Sequence, residues 1–295
     1  MTETVGVVGL GIMGGAMMRN LRAAGFSVVG YDIAAGPMER LAAAGGTPAA
    51  SAREVVERAP IAITSLPSVG AFVQVAAAIA ASAGSGQIVI ECSTLPVAVK
   101  EKAHRELAAA GKILLDCPVS GTGAQAAKKD LVVFASGDQA AFERCRPVFA
   151  GMSRLQRYLG AFGNGSKMKF IANHLVTIHN VAAAEAIVLS LKAGLDPHLV
   201  TEVLGDSAAT SRMFQMRAPL MADARYDEPT ATVKTHLKDI DIIGRFAADM
   251  NCPLPLFAAS VQFYLAAMGE GRGGEDTASV CAIMEAMAGI DRSGN

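Results

Sequence analysis

The chain has 295 residues, 52% of them hydrophobic and 18% charged, with a formal net charge of -1. This size and composition support a large folded core, expected to divide between two domains, and exclude a disordered chain. No basic block calls for nucleic acid, and no apolar run is expected to span a bilayer. The strand beginning almost at Met1 leaves no room for a signal peptide, so a cytoplasmic setting is expected.

Val5 to Val8 reads as a short buried strand. Gly9, Leu10, Gly11, Ile12, Met13 and Gly14 follow with glycines spaced G-x-G-x-x-G, then a helix to Ala24 ended by Gly25. Strand, tight turn and helix are the context a dinucleotide fingerprint requires. Gly9 makes the turn, Gly11 lets backbone approach a pyrophosphate, and Gly14 lets helix and strand pack closely. The phosphates are expected at the helix N-terminus, where free N–H groups favour anions.

The next strand, Ser27 to Tyr31, leads into Asp32. A carboxylate there can accept from both adenosine ribose hydroxyls and repel a 2′-phosphate. Ile33-Ala34-Ala35 offers no cation, so NAD is expected over NADP. By itself Asp32 is equally a turn or helix cap. Helices are expected over Met38–Ala44 and Ser51–Arg58, the second opened by a Ser51/Glu54 capping box.

Strands then recur at Ile61–Leu66, Ile88–Ser93, Lys112–Val119, Leu131–Ser136 and Arg154–Tyr158, with helices between them. Apolar rather than alternating strands predict one largely parallel sheet covered on both faces, a Rossmann-type α/β domain over residues 1–163. Ligands bind beyond the carboxyl ends of such strands. Leu66-Pro67, Ser93-Thr94 and Pro118-Val119-Ser120-Gly121 occupy that edge.

The pattern changes after Gly163. A long apolar helix runs from about Ser166 to Ala193, and the remainder, punctuated by Pro219, Pro229, Pro253 and Pro255, reads as helical. Residues 164–295 therefore form a second, all-helical domain joined by that long helix, and a cleft between domains is the expected site. Lys169 and Asn173 share one face of the helix, with Lys167 well around it. A lysine there can exchange a proton with a substrate hydroxyl while an asparagine anchors an oxygen. The bland reading is a snorkelling lysine beside a satisfied amide.

The five histidines form no metal-ligand pair, so no metal is expected, and His174 is at most site-adjacent. Cys92, Cys117, Cys145, Cys252 and Cys281 form no C-x-x-C pair and read as reduced bystanders. Lys238-Asp239 reads as an ordinary surface pair, and Asp276 and Ser279 as caps or solvent contacts. Arg212 and Arg217 have no evident role.

Four stretches together resemble the β-hydroxyacid dehydrogenase family, the group of 3-hydroxyisobutyrate dehydrogenase and tartronate semialdehyde reductase. They are Gly9–Gly14 continued by Met17 and Asn20-Leu21, Asp116–Thr122, Gly163–Asn173, and Lys238-Asp239. The resemblance implies Lys169 as catalytic acid/base and Asn173 as substrate-orienting. It implies Ser120, Gly121 and Thr122 as carboxylate-binding, with Leu66, Pro67, Thr94 and Lys238 on the cofactor side. The implied reaction is reversible oxidation of a small carboxylate-bearing hydroxy acid with NAD, in a homodimer or homotetramer. NADPH-dependent reduction of a small aldehyde acid and a non-catalytic dinucleotide-binding scaffold stand as alternatives. Two departures stand out: Thr122, where relatives carry glycine, narrows the loop, and Lys128-Lys129-Asp130 replaces a glycine-containing segment. Imine-reducing relatives usually lack the lysine, so Lys169 speaks against their chemistry.

Overall fold

The computed structural model describes residues 3–292. Contacts divide the chain into two compact units, one through Lys169 and one from Phe170. In the first, strands and helices alternate: β1 Thr4–Val8, α1 Ile12–Ala23, β2 Ser27–Tyr31, α2 Ala35–Ala43, β3 Thr47–Pro48, α3 Ala52–Arg58, β4 Ile61–Thr64, α4 Val69–Ala80, β5 Ile88–Glu91, α5 Val97–Ala109 and β6 Ile113–Asp116. β7 Val119–Ser120, α6 Gly123–Ala127, β8 Val132–Ala135, α7 Gln139–Met152 and β9 Leu155–Tyr158 complete it.

Six strands pair in the order β3-β2-β1-β4-β5-β6, all parallel. Their side chains alternate between two cores. Val5, Val7, Ile61, Ile63, Ile88 and Ile90 enter one; Val8, Ala62, Val89 and Leu114 enter the other. This is the period-two pattern of a sheet covered on both faces. The order reverses at β1, which pairs with both β2 and β4. Such a switch point opens a crevice beyond the carboxyl ends. The register sets Tyr31, Val8, Thr64, Glu91 and Asp116 in one row, so the loops that follow leave the sheet at one level.

The expected single sheet is instead two. β7, β8 and β9 form a separate three-stranded sheet, β7 antiparallel and β9 parallel to β8. The strand expected over Lys112–Val119 breaks after Asp116. Asp116 closes an antiparallel bridge with Ser136, and Pro118, which has no N–H to donate, precedes the start of the second sheet.

α8 runs without interruption over Asn164–Lys192, and the division between the units falls within it. The second unit continues with α9 Pro197–Gly205, α10 Arg212–Ala222, α11 Val233–Asp249, α12 Pro255–Gly269 and α13 Val280–Met287, with short 3-10 turns at 272–274 and 277–279. α8 has the length and apolar composition to cross a bilayer, contrary to the expectation that no stretch does. Several of its polar side chains are nevertheless held by protein partners. Asn180 Nδ2 donates to Tyr264 Oη at 3.2 Å and Thr277 Oγ1 at 3.1 Å, as suits a core helix of the helical unit.

Asp276, expected as a cap or a solvent contact, is a cap and is fully buried. It caps the turn at 277–279, accepts from the Thr230 N–H at 2.8 Å, and pairs with buried Arg217 at 3.3 Å. An arginine taken out of water requires such an anion.

Candidate active site

The β1–α1 turn is shaped by its glycines. Gly9 has φ +86°, and a Cβ there would run into the Ser65 carbonyl oxygen; one at Gly14 would run into the Gly9 carbonyl. Gly11 differs, because a Cβ there would meet nothing within 4 Å. The space beside it is open, so close protein packing does not require the glycine. Gly11 is also the N-cap of α1 with no side-chain cap, and the first turn contains no acid. Uncapped N–H groups beside an open cradle fit a pyrophosphate.

Asp32 lies at the switch-point edge. Its Oδ2 accepts from the Leu10 N–H at 2.7 Å and its Oδ1 from the Ala34 N–H at 2.9 Å. A carboxylate has about four acceptor positions, so roughly two remain, enough for the two hydroxyls of a ribose. Across the same edge, the Leu66 N–H donates to Ser93 Oγ at 2.8 Å, which ties the loop of Leu66 and exposed Pro67 to that of half-buried Thr94. The fingerprint, Asp32, Leu66-Pro67 and Thr94 therefore gather at one end of the sheet.

Ser120 ends β7, and Gly121 follows with φ +139°. Thr122 caps α6 through a capping box missing from the sequence expectations. Its Oγ1 accepts from the Gln125 N–H at 3.3 Å, and Gln125 Oε1 accepts from the Thr122 N–H at 3.0 Å. The Thr122 N–H is thus engaged within the protein, while its hydroxyl hydrogen is not used in the box. The T-x-x-Q spacing was a readable sign of this. α6 packs on α1: Asn20 Nδ2 donates to Ala126 O at 2.7 Å, and a Cβ at Gly123 would lie 2.5 Å from Ile12 Cγ2. The loop expected to hold substrate is therefore fixed to the helix expected to hold cofactor. The Lys128-Lys129-Asp130 segment is tied to the protein through its acid: Asp130 accepts from Gln125 Nε2 at 3.1 Å and Arg154 Nε at 2.7 Å.

Below this edge lies a buried polar cluster that sequence reading missed. Lys100 Nζ, fully enclosed, donates to Ser93 O at 2.7 Å and Asp116 Oδ1 at 2.8 Å, with Glu91 Oε1 at 3.8 Å. Burial alone depresses a lysine pKa, but the Asp116 and Glu91 charges outweigh it and hold this one above its usual value. Asp116 also receives the first turn of α8: the Ser166 N–H donates to Oδ2 and the Ser166 hydroxyl to Oδ1, both at 2.7 Å. A carboxylate at a helix N-terminus is favoured by the unsatisfied N–H groups there. Lys169, half-buried, follows three residues later on the same helix.

In the helical unit, Asn173 is buried and its Nδ2 donates to Asp239 Oδ2 at 2.8 Å. Asp239 also pairs with half-exposed Lys238 at 3.2 Å, so the supposed surface pair turns its acid inward. Thr177 Oγ1 donates to Asn173 O at 2.8 Å and lies 2.9 Å from His236 Nε2. A hydroxyl has one hydrogen, so His236 Nε2 is the donor to Thr177. His174, stacked on Phe257, has its pKa lowered by burial and by His179. Among the described residues no group of acids, histidines and cysteines is suited to a metal. The five cysteines are unpaired, and four are buried.

Two family models cover the chain. Residues 4–163 match the NAD binding domain of 6-phosphogluconate dehydrogenase, and residues 163–284 match the NAD-binding domain of NADP-dependent 3-hydroxyisobutyrate dehydrogenase. L-threonate dehydrogenase of Cupriavidus necator is 36% identical over 287 residues, covering 96% of each chain. The crystal structure of a 3-hydroxyisobutyrate dehydrogenase from Salmonella typhimurium superposes with a TM-score of 0.86 at 32% identity, over 95% of this chain and 99% of that one. The Mycobacterium tuberculosis 3-hydroxyisobutyrate dehydrogenase with L-serine gives 0.88 at 27%, over 96% and 99%.

Proposed function

Because the chain belongs to the 3-hydroxyisobutyrate dehydrogenase-like family of NAD(P)-binding oxidoreductases, we propose that it reversibly oxidises a small hydroxy acid with NAD, Lys169 acting as general acid/base. The observation that carries this reading is the place of Lys169. It lies just past the Asp116-anchored start of α8, in the unit whose β1–α1 turn has an open cradle and whose Asp32 has acceptor positions to spare. Bound NAD supplies the hydride acceptor. Lys169 Nζ takes the hydroxyl proton as the C–H hydride leaves, and returns it in the reductive direction. Ser120 Oγ and the Gly121 N–H grip the carboxylate, with the Thr122 hydroxyl as a further donor. Asn173, held through Nδ2 by Asp239, offers its Oδ1 and second N–H to a substrate oxygen. Lys238 supports the cofactor side.

The resemblance to L-threonate dehydrogenase makes L-threonate the first substrate to test, beside 3-hydroxyisobutyrate, glycerate and β-hydroxypropionate. Each is assayed with NAD and with NADP. Lys169→Ala is expected to lower kcat on the best substrate by about 10²- to 10⁴-fold; full turnover would overturn the lysine's role. Tight cofactor binding with no turnover across the panel would support a scaffold instead.

NADP use draws on one observation. Arg40 Nη1 lies 3.4 Å from where a Cβ at Gly36 would sit, so this cation folds back over the start of α2. A kcat/KM favouring NADP that collapses in Arg40→Ala would establish that second reading. The proposal includes a homo-oligomer and a reducing, cytoplasmic setting. Exposed Ile171, Leu175, Leu189 and Leu199 of the helical unit support the first, and five unpaired thiols the second. Sedimentation of a monomer at micromolar concentration would sink the oligomer.

A further inference from the structure

Glu91 and Asp116 are the last residues of adjacent parallel strands and stand opposite each other in register. Both are fully buried. Two neighbouring carboxylates in a protein interior require positive charge. Lys100 supplies one part, from one turn into α5. The start of α8 supplies the other, through the Ser166 N–H and hydroxyl on Asp116.

The approach is close. The Gly165 N–H donates to Ser136 Oγ at 2.9 Å, and a Cβ at Gly165 would lie 2.5 Å from the Asp116 carbonyl oxygen. A second arm reaches the cofactor edge. Glu91 Oε2 accepts from Thr64 Oγ1 and Oε1 from the Ser93 N–H at 2.7 Å, while Ser93 Oγ holds the Leu66 N–H at 2.8 Å. One buried cluster thus grips the loops after β4 and β5 and the first turn of α8.

We propose that Lys100, Glu91, Asp116 and Ser166 act together as positioning residues for hydride and proton transfer, fixing the first turn of α8, and with it Lys169, in register with the loops of Leu66 and Thr94. The proposal rests on the reading of Lys169 as the proton-transferring group. The four side chains are enclosed beneath the edge, and their influence passes through Lys169 and the loop backbones. Asp116 carries the main load: it joins Lys100 from the sheet side to Ser166 from the helix side. Ser166 is the cleanest point of attack, because Ser166→Ala removes one hydroxyl and leaves the backbone N–H on Asp116.

The experiment is a double-mutant cycle on purified full-length protein with the best substrate of the panel. Wild type, Ser166→Ala, Lys169→Ala and the double variant are compared by kcat, KM and NADH affinity from fluorescence. Ser166→Ala is expected to lower kcat about tenfold, because small misplacements of a reacting group are costly. NADH affinity should stay within twofold. In the Lys169→Ala background the same change should cost less than twofold, since there is no lysine left to position.

Equal losses in both backgrounds, or no loss from Ser166→Ala, would overturn the proposal. Lys169→Ala retaining turnover would instead overturn the reading beneath it, so the two failures are distinct. Asp116→Asn is a second variant at the joint of the cluster: it should lower kcat with NADH affinity within twofold, and cost little more in the Lys169→Ala background. An equal loss in both backgrounds would count against the proposal.

Discussion

Two glycines of one fingerprint should respond in opposite ways to the same added methyl. At Gly9 the backbone has φ +86°, and the Ser65 carbonyl oxygen fills the space of a Cβ. Gly9→Ala meets a left-handed backbone cost of about 1–2 kcal/mol and an overpacking cost of about 1–3 kcal/mol. A total near 3 kcal/mol lowers the unfolding midpoint by roughly 10 °C for a domain of this size. At Gly11 nothing lies within 4 Å of a Cβ. Replacing an N-cap glycine costs about 0.5–1 kcal/mol, and restricting the unfolded chain returns about 0.4–1 kcal/mol. The two nearly cancel, so Gly11→Ala should melt within about 2 °C of wild type. Its methyl, however, enters the space assigned to the pyrophosphate. NADH affinity should fall at least tenfold, or about 1.4 kcal/mol. Differential scanning calorimetry without cofactor and a fluorescence titration with NADH measure the two effects separately. A Gly11→Ala protein that keeps wild-type affinity refutes the placement of the cofactor. A Gly9→Ala protein of unchanged stability refutes the account of the turn.

Asp32→Asn should lower the NAD over NADP ratio of kcat/KM by roughly tenfold or more, because the charge that opposes a 2′-phosphate is gone; an unchanged ratio would remove Asp32 from cofactor choice. Only exposed Cys252 should react quickly with a disulfide reagent at pH 8, since the other four thiols are buried and burial pushes Cys145 and Cys281 up to about 12. Two or more fast equivalents would contradict that burial. Stability should fall in alkali. Burial raises the buried thiols and the Tyr226 and Tyr264 phenols, while the carboxylates beside it raise Lys100 against the effect of burial. The folded chain keeps these protons after the unfolded chain loses them. The loss begins near the ordinary thiol value of 9.0, continues past 10.0 for the phenols, and takes in Lys100 above 10.5. A flat melting midpoint from pH 8 to 11 would refute it.

The first unit was legible where order is local. The run from Val5 to Gly14 contains its own strand, turn and helix signals, and the apolar strands after it announced a sheet covered on both sides. The second sheet was not legible, because β7 has two residues and its partner, β8, lies across α6. Length and periodicity say little about so short a strand. The cluster around Lys100 was hidden for another reason. Glu91, Lys100, Asp116 and Ser166 become neighbours only through parallel register and the return of α8 to the sheet. Asp276 was legible as a cap, but a cap signal says nothing about the arginine that approaches from α10. Lys169 and Asn173 were legible as a pair because they share one helix. Asp239, which holds the Asn173 amide, comes from α11 and left no local mark of that contact.

The loop around Thr122 has a kinetic consequence. Thr122 and Gln125 close on each other, the Asp130 N–H donates to the Gln125 carbonyl at 2.8 Å, and Arg154 holds the Asp130 carboxylate. All of these bonds are made between residues of the chain itself. The entropy of ordering this segment is therefore lost once, during folding, and not again at each encounter. On the proposed reading, in which substrate reaches this loop, discrimination at residue 122 should appear in dissociation rates more than in association rates. Exchanging the side chain at 122 while keeping Gln125 and Asp130 would then vary residence time on a loop that need not be rebuilt.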